Sequence, residues 1–151
     1  MYGSNRHTPA LVVVLCLGSL TADPAIGQPP QSGSHAAQSG FDAEKGRALY
    51  TTYCSSCHGA NGEGRQGTYP PLKGSGVVTK ADATKHIHVV LDGLQGGRAG
   101  GVFYADPMPA FGRILDDVNV ADIIDYERSS WGNHGKLVTA AQVTAERVRS
   151  K

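Results

Sequence analysis

Five consecutive residues, Cys54-Ser55-Ser56-Cys57-His58, place two thiols and an imidazole within one short stretch of the chain. Two cysteines at this spacing are typical of a redox disulfide, half of a zinc site, a structural disulfide or a haem attachment site. The histidine directly after the second cysteine favours haem attachment. Residues i and i+3 of a helix share a face, so both thiols reach one porphyrin edge, with His58 placed over the iron. The motif therefore predicts one covalently bound haem c.

The competing interpretations of this motif have less support in the sequence. A thioredoxin-like redox site is expected after a strand in a βαβ unit, and no such context surrounds Cys54. A zinc site would need two further Cys or His ligands at regular spacing, and no second C-x-x-C is present. The remaining cysteine, Cys16, lies in a probable export signal, so the mature protein keeps only the motif pair.

The sixth iron ligand is predicted to be Met108. The chain has two methionines, and Met1 would leave with the export signal. Met108 stands between Pro107 and Pro109, which stiffen the chain and could hold the sulfur against iron. The alternative for Met108 is a place in the apolar core. Other nitrogen ligands are available, although each is expected to be a surface or packed histidine: His35, His86, His88 and His134.

A histidine–methionine ligand pair would fill both axial positions of the iron and raise its reduction potential. A filled iron does not readily bind oxygen or peroxide. The expected chemistry is therefore outer-sphere transfer of single electrons, with no catalytic residue.

The elements that must position these residues have a helical pattern. A first helix is expected from Asp42 towards Cys54, with Gly46 inside it where another backbone approaches closely. A second is expected over residues 82–91, with Gly93 as its stop. A third opens at Asp116 and ends at Gly132, and Thr139 begins a capping box for a short tail helix. Core positions in the second and third helices are Ile87, Val90, Leu91, Val120, Ile123 and Ile124.

Two glycine- and proline-rich stretches, residues 59–76 and 94–107, are expected to be long loops. No segment alternates convincingly between apolar and polar residues, which is the pattern of a strand. The sequence therefore predicts an all-α fold with long loops.

The first 27 residues have the pattern of a cleaved secretory signal. A polar start containing Arg6 precedes an apolar run over residues 11–20, and small residues follow. Cleavage is expected after Gly27, with Ala22 as the second choice. An uncleaved anchor is the alternative, although about ten apolar residues are too few to span a bilayer. Residues 28–40 are expected to be a flexible linker, and the mature protein is expected in the periplasm without a membrane span.

Length and charge narrow the function classes. The 151 residues allow one domain, and the formal net charge is +1. No basic stripe with interleaved aromatic residues is present, so nucleic acid is not an expected partner.

The C-x-x-C-H motif, the late methionine between prolines and the final helix together resemble class I cytochrome c. The resemblance covers roughly residues 41–133. It implies the class I fold, with three main helices around one haem, over residues 41–134, followed by a tail with a short helix over 135–151. It also implies that the first and last helices cross, so that Gly46 and Tyr50 meet Ile123 and Tyr126. By the same resemblance, the Pro70 carbonyl accepts the proton of the His58 ring.

Residues 91–96 and 116–131 are similar to cytochromes associated with periplasmic dehydrogenases and respiratory oxidases. This implies an electron carrier between a dehydrogenase or bc-type donor and a terminal oxidase or reductase. One alternative is a fixed cytochrome subunit of a membrane dehydrogenase or oxidase complex, and the other is a haem enzyme or gas sensor with an open sixth site. The oligomeric expectation is a monomer or a complex subunit. Glu127 departs from the resemblance, because an apolar residue is usual at its place, and weaker docking of the final helix is expected if it is buried.

Overall fold

The computed structural model describes residues 40–150, so the predicted signal peptide, all but the last residue of the predicted linker, and His35 lie outside the described residues. Within this range the chain is mainly helical, and no helix in it is long and apolar enough to cross a membrane. The elements in chain order are α1 (Ala43–Tyr53), α2 (Ser55–His58), α3 (Gly76–Thr79), α4 (Thr84–Asp92), β1 (Gly97–Ala99), β2 (Val102–Tyr104), α5 (Asp117–Ser129) and α6 (Ala140–Arg149).

Helix α1 begins as the sequence predicts. The Asp42 side chain caps it by accepting a hydrogen bond from the backbone N–H of Lys45 at 2.9 Å, which satisfies one of the free donors of the first turn. Gly46 and Tyr50 are the buried residues of this helix, whereas Ala43 at its start is exposed. The helix ends at Cys54, and α2 follows at once.

Helices α1 and α5 are in close contact through Gly46. A Cβ atom at Gly46 would overlap the carbonyl oxygen of Asp122 and lie 3.0 Å from the Cβ of Tyr126. The Tyr50 ring packs on the ring of Tyr126, with centroids 5.4 Å apart. The predicted contact of this face with Tyr126 is confirmed, while Asp122 stands nearest to Gly46 in place of the expected Ile123.

Helix α4 starts two residues later than predicted. The Asp82 carboxylate accepts a hydrogen bond from the Thr84 backbone N–H at 2.9 Å, so Asp82 lies just outside the helix. The predicted stop is confirmed, since Gly93 follows the last helical residue with a φ of 70°. The predicted core positions in this helix, Ile87, Val90 and Leu91, are all buried.

The prediction of a plain loop over residues 94–107 was wrong in part, because a short hairpin lies within it. Strands β1 and β2 pair antiparallel over three residues each. Gly100 and Gly101 form the turn with φ values of 55° and 84°, a backbone that glycine adopts without strain. Three residues are too few to show the alternation that reveals a strand. The predicted fold class, an all-α fold with long loops, is nevertheless confirmed.

Helix α5 is capped by Asp116, whose side chain accepts from the backbone N–H of Asn119. It ends at Ser129, earlier than the predicted stop at Gly132. The positions predicted for its core, Val120, Ile123 and Ile124, are at most 1% exposed.

The tail helix α6 is a substantial part of the fold. Thr139 and Gln142 form the predicted capping box, with both of its hydrogen bonds present. Its 10 residues are comparable in length to the 11, 9 and 13 of α1, α4 and α5. Its buried Val143 belongs to the same core cluster as Ile87 and Ile124. The described chain therefore has four long helices where three main helices were expected.

Asp125 on α5 should make the protein more stable in mild acid. Burial raises the pKa of Asp125 to about 6, compared with about 3.9 in an unfolded chain. Because its pKa is higher in the folded protein than in the unfolded chain, protonation of Asp125 stabilises the folded protein. This stabilisation is fully present below pH ~4 and is lost as the pH rises through about 6. Relative to D125N, the wild type should lose about 1–2 kcal/mol of unfolding free energy between pH ~4 and pH ~7, after allowance for solvent screening.

Urea unfolding at several pH values would measure this difference. The amide of D125N still offers an oxygen to the Val138 backbone N–H, which donates to Asp125 Oδ1 at 2.7 Å. Titrating groups that do not interact with Asp125 act equally on both proteins and cancel in the difference. Parallel stability curves for the wild type and D125N across this pH range would contradict the prediction.

Candidate functional site

The motif residues lie where α1 passes into α2. Cys54 ends α1 with a φ of −116°, and the next turn places Cys57 and His58 on α2. The backbone N–H of His58 donates to the carbonyl of Cys54 at 3.0 Å, which holds the motif in one helical turn. The two cysteines of the described chain are not joined to each other by a disulfide. Within residues 40–150, no group of three or more His, Cys, Asp or Glu side chains could hold a metal ion.

The ring of His58 is held by the loop that follows it. His58 is buried, and its Nδ1 lies 2.9 Å from the carbonyl oxygen of Pro70. A carbonyl oxygen only accepts hydrogen bonds, so Nδ1 must be the protonated nitrogen in this contact. The second nitrogen, Nε2, therefore keeps its lone pair and is free to bind a metal.

Gly64 allows the loop to bring Pro70 close to His58. Its N–H donates to the His58 carbonyl at 2.7 Å. A Cβ at this position would lie 2.6 Å from the carbonyl oxygen of Tyr69 and 2.7 Å from the carbonyl carbon of Pro70, and its φ is 68°. Only glycine combines this backbone angle with so close an approach.

Met108 is held through its backbone by Leu94. The two residues exchange both of their backbone hydrogen bonds, at 3.0 Å and 2.9 Å. Gly93 packs beneath this pair, and a Cβ there would lie 2.8 Å from the backbone nitrogen of Ala110 and 2.9 Å from the carbonyl carbon of Pro109. The position of Met108 is thus set by a bridge to the end of α4 as well as by its flanking prolines.

The structure brings every residue of the predicted site to the wall of one cavity. The members of that set are Cys54, Cys57, His58, Pro70 and Met108. The rest of the wall is contributed mainly by apolar side chains, among them Val78, Val89, Val90, Leu94, Phe111 and Ile123. Two thiols, one imidazole with a free Nε2 and one thioether in an apolar cavity are the donor set that a covalently attached haem requires. The residues present therefore fit this cofactor.

Two charged residues on the same wall were not expected there. His86 on α4 and Glu127 on α5 are each 3% exposed, and His86 Nε2 lies 2.7 Å from Glu127 Oε2. Glu127 thus has a hydrogen-bonding partner on the neighbouring helix, which the expectation of weaker docking did not include. Burial, followed by the nearby charge of Glu127, raises the pKa of the Cys54 thiol. The Glu127 carboxylate thus lies beside Cys54 of the motif.

Sequence reasoning treated His86 as a packed or surface histidine, and the buried pair was missed. The one available indication was the unusual glutamate at position 127. The other described histidines lie elsewhere: His88 bonds Asp92 and Glu146 at the surface of α4, and His134 is exposed.

Arg147 on α6 secures the segment that leads from Met108 into α5. Its guanidinium donates to the carbonyls of Gly112 and Leu115, and its Nε lies 2.6 Å from Asp117 Oδ1. We expect R147M to lower the unfolding free energy by about 1–3 kcal/mol, because several charge-assisted hydrogen bonds are lost. If Met108 binds a haem iron through its sulfur, the far-red absorption band of that bond should also fade at a lower temperature in R147M, because Met108 is held less firmly.

Arg149 provides a matched control on the same helix. Among residues 40–150 its side chain bonds only Glu146, and it is 67% exposed. R149M should therefore change the unfolding free energy and the far-red band little. Equal effects of R147M and R149M would show that Arg147 has no particular role in securing this segment.

Comparison with known proteins gives consistent matches. The cytochrome c family profile matches residues 43–131. The gluconate 2-dehydrogenase cytochrome c subunit of Pantoea cypripedii is 33% identical over 135 residues, which are 89% of this chain and 30% of that protein. The alcohol dehydrogenase (quinone) cytochrome c subunit of Gluconacetobacter polyoxogenes is 32% identical over 128 residues, which are 84% of this chain and 26% of that protein.

A smaller relative is covered more fully. Cytochrome c-552 of Thermus thermophilus is 32% identical over 100 residues, which are 64% of this chain and 76% of that protein. The chain spans less than a third of the length of the two dehydrogenase subunits that it matches.

Proposed function

The chain belongs to the cytochrome c family, which makes it an electron-transfer protein with covalently bound haem c, and we propose that four of its side chains hold that haem. In this proposal, Cys54 and Cys57 form the thioether bonds, while His58 and Met108 are the axial ligands of the iron. The observation that supports it is the meeting of all four side chains on the wall of one apolar cavity.

When bound, the haem supplies an iron that accepts and releases one electron. The chain's own part is to keep the two ligands in place in both oxidation states. Pro70 fixes the orientation of the His58 ring through the 2.9 Å contact, and Leu94 holds the backbone of Met108 on both sides. Little movement is then needed as the electron enters or leaves, which favours fast transfer over substrate chemistry.

We propose that the protein works in the periplasm. The apolar run over residues 11–20, with small residues after it, supports export. Gel analysis of a periplasmic extract from a haem-attaching host would test this. Haem-stained protein lacking residues 1–27 is expected there, while full-length protein in the cytoplasmic fraction would contradict export.

Two forms of partnership are open to such a carrier. A free carrier passing electrons from a dehydrogenase or bc-type donor to an oxidase or reductase is the first, and the similarity to cytochrome c-552 supports it. A fixed subunit of a dehydrogenase complex is the second, supported by the relatives that are named as dehydrogenase cytochrome subunits. Purification from the native membrane fraction would separate them, because only the second predicts stable association with a large redox enzyme.

The visible spectrum of the mature protein tests the proposed haem ligands. A c-type reduced spectrum is expected, together with the weak far-red band of sulfur bound to ferric iron. Carbon monoxide should leave the ferrous spectrum unchanged, since both axial positions are filled. A rapid spectral shift with carbon monoxide and no far-red band would refute Met108 ligation, and would favour a haem enzyme or gas sensor with an open sixth position.

A further inference from the structure

The buried pair of His86 and Glu127 has the properties of a proton-binding site. The two side chains are 3% and 4% exposed, and they join α4 to α5 across 2.7 Å. Ionisable groups are seldom buried this deeply, because leaving water disfavours their charged forms. Two apolar side chains would stabilise the contact between the helices at least as well. Stability of the helix contact alone therefore does not explain why these two ionisable residues are buried here, whereas binding of a proton would.

One nitrogen of this pair is free to take up a proton. Nε2 of His86 is engaged with Glu127 Oε2, whereas Nδ1 has no hydrogen-bond partner among the described residues. A carboxylate accepts hydrogen bonds, so Nε2 donates in this contact when the carboxylate is ionised. Nδ1 then keeps its lone pair. A proton added to Nδ1 would give an imidazolium that lies against a carboxylate, which is the arrangement that best tolerates burial.

The pair also lies on the wall of the cavity that holds the proposed haem ligands. Charges in a poorly solvated region interact strongly over several ångströms. Adding one electron to the cavity removes one unit of positive charge from its centre, and this favours a new positive charge on the wall. The charge of Glu127 also raises the pKa of the Cys54 thiol, so this carboxylate interacts with the proposed attachment residue.

Other charged groups face the pair, and the test must separate them from it. Asp125 on α5 interacts with the charge of His86, and Tyr50 on α1 interacts with that of Glu127. Lys85 precedes His86 on α4 and lines the same cavity. On the α6 side, Glu146 bonds His88 and not His86. The haem propionates are further acidic groups. All of these remain when only the pair is changed.

We propose that the His86–Glu127 pair takes up one proton when the protein accepts one electron, so that electron carriage is coupled to proton carriage. A donor protein supplies the electron, which reduces ferric to ferrous iron. Solvent supplies the proton, which forms an N–H bond at His86 Nδ1. On oxidation by the acceptor, both leave again, and no other bond forms or breaks. The inference rests on the proposed function, because it requires a haem in this cavity.

The reduction potential of the holoprotein, measured from pH ~5 to pH ~9, tests the coupling. In the wild type it should fall as the pH rises over part of this range, with a slope approaching about 59 mV for each tenfold change in proton concentration. The double variant H86L/E127L replaces the pair with apolar side chains, and it should lose that slope. Equal slopes in the two proteins would overturn the proposal.

E127Q is a milder variant that keeps a hydrogen-bonding side chain at the site. Without the carboxylate, the imidazolium is less stabilised, so the pH-dependent segment should move to lower pH. D125N is the control, since it alters a neighbouring charge and leaves the pair intact, and the segment should persist in it. An unmoved segment in E127Q, or its loss in D125N, would assign the proton to another group.

Two further measurements test the proton coupling and the proposed haem ligands separately. Photoreduction in weakly buffered solution with a pH indicator should show proton uptake by the wild type that is at least halved in H86L/E127L. The far-red band and the response to carbon monoxide report the Met108 ligand in each protein. Failure of those ligand tests in the wild type refutes the proposed function, whereas equal proton uptake in six-coordinate proteins overturns the coupling alone.

Discussion

Replacing Gly46 with leucine should prevent stable folding of the holoprotein. The first added atom, the Cβ, would already overlap the carbonyl oxygen of Asp122 and press on the Cβ of Tyr126 at 3.0 Å. Backbone atoms of two packed helices cannot move aside as a flexible side chain can, so α1 and α5 must separate. The loss should exceed about 4 kcal/mol, which is most of the stability of an ordinary small domain.

The measurement is the yield and melting temperature of the haem-attached variant. Gly76→Leu is a suitable control, because Gly76 is also helical and has nothing within 4 Å of its Cβ position. It should fold and melt close to the wild type. Gly46→Ala adds only the Cβ and should be strongly destabilised as well. A soluble Gly46→Leu protein with an unchanged melting temperature would mean that the two helices do not meet at this glycine.

The parts of the fold that depend on local chemistry could be predicted from the sequence. Asp42 and Asp116 are good caps because their side chains accept hydrogen bonds from the first turn of a helix. The motif of Cys54 to His58 needs only one helical turn to bring its groups together. For these features, the residues that determine the structure are neighbours in the chain.

Features that depend on distant residues were harder to predict. The hairpin of β1 and β2 is too short to show alternation, and the backbone pairing of Leu94 with Met108 beside it joins residues that are 14 positions apart. The burial of Arg128 near the end of α5 is another such feature. Arg128 is fully buried and donates to the carbonyls of Val78, Lys80 and Lys136, which lie outside its own helix.

The pair of His86 and Glu127 illustrates the same limit at the cavity. The two residues are separated by 41 positions, and neither one alone indicates that the other is its partner. Only the packing of α4 against α5 shows that the two side chains are buried together and form a hydrogen-bonded pair. A single unusual residue, Glu127 in an otherwise apolar place, was detectable in the sequence, but its partner was not.

Replacing Met108 with alanine should open the iron to external ligands. Met108 is the one methionine of the chain apart from Met1, so no second thioether can take its place. The far-red band should disappear, and the ferrous protein should bind carbon monoxide stoichiometrically. The reduction potential should fall, because a thioether ligand favours the ferrous state. Optical spectra with and without carbon monoxide, together with a redox titration, would measure all three effects.

Leu94→Ala is the matched control for this variant. Leu94 lines the same cavity and is paired with Met108, but the bridge between them uses backbone atoms that alanine also has. Shortening the Leu94 side chain enlarges the cavity and leaves the Met108 sulfur in place. The far-red band should therefore persist, and carbon monoxide should remain excluded. If Met108→Ala instead kept a six-coordinate iron closed to carbon monoxide, another side chain would be the sixth ligand. The candidates are His86 and Lys85, because both line the same cavity.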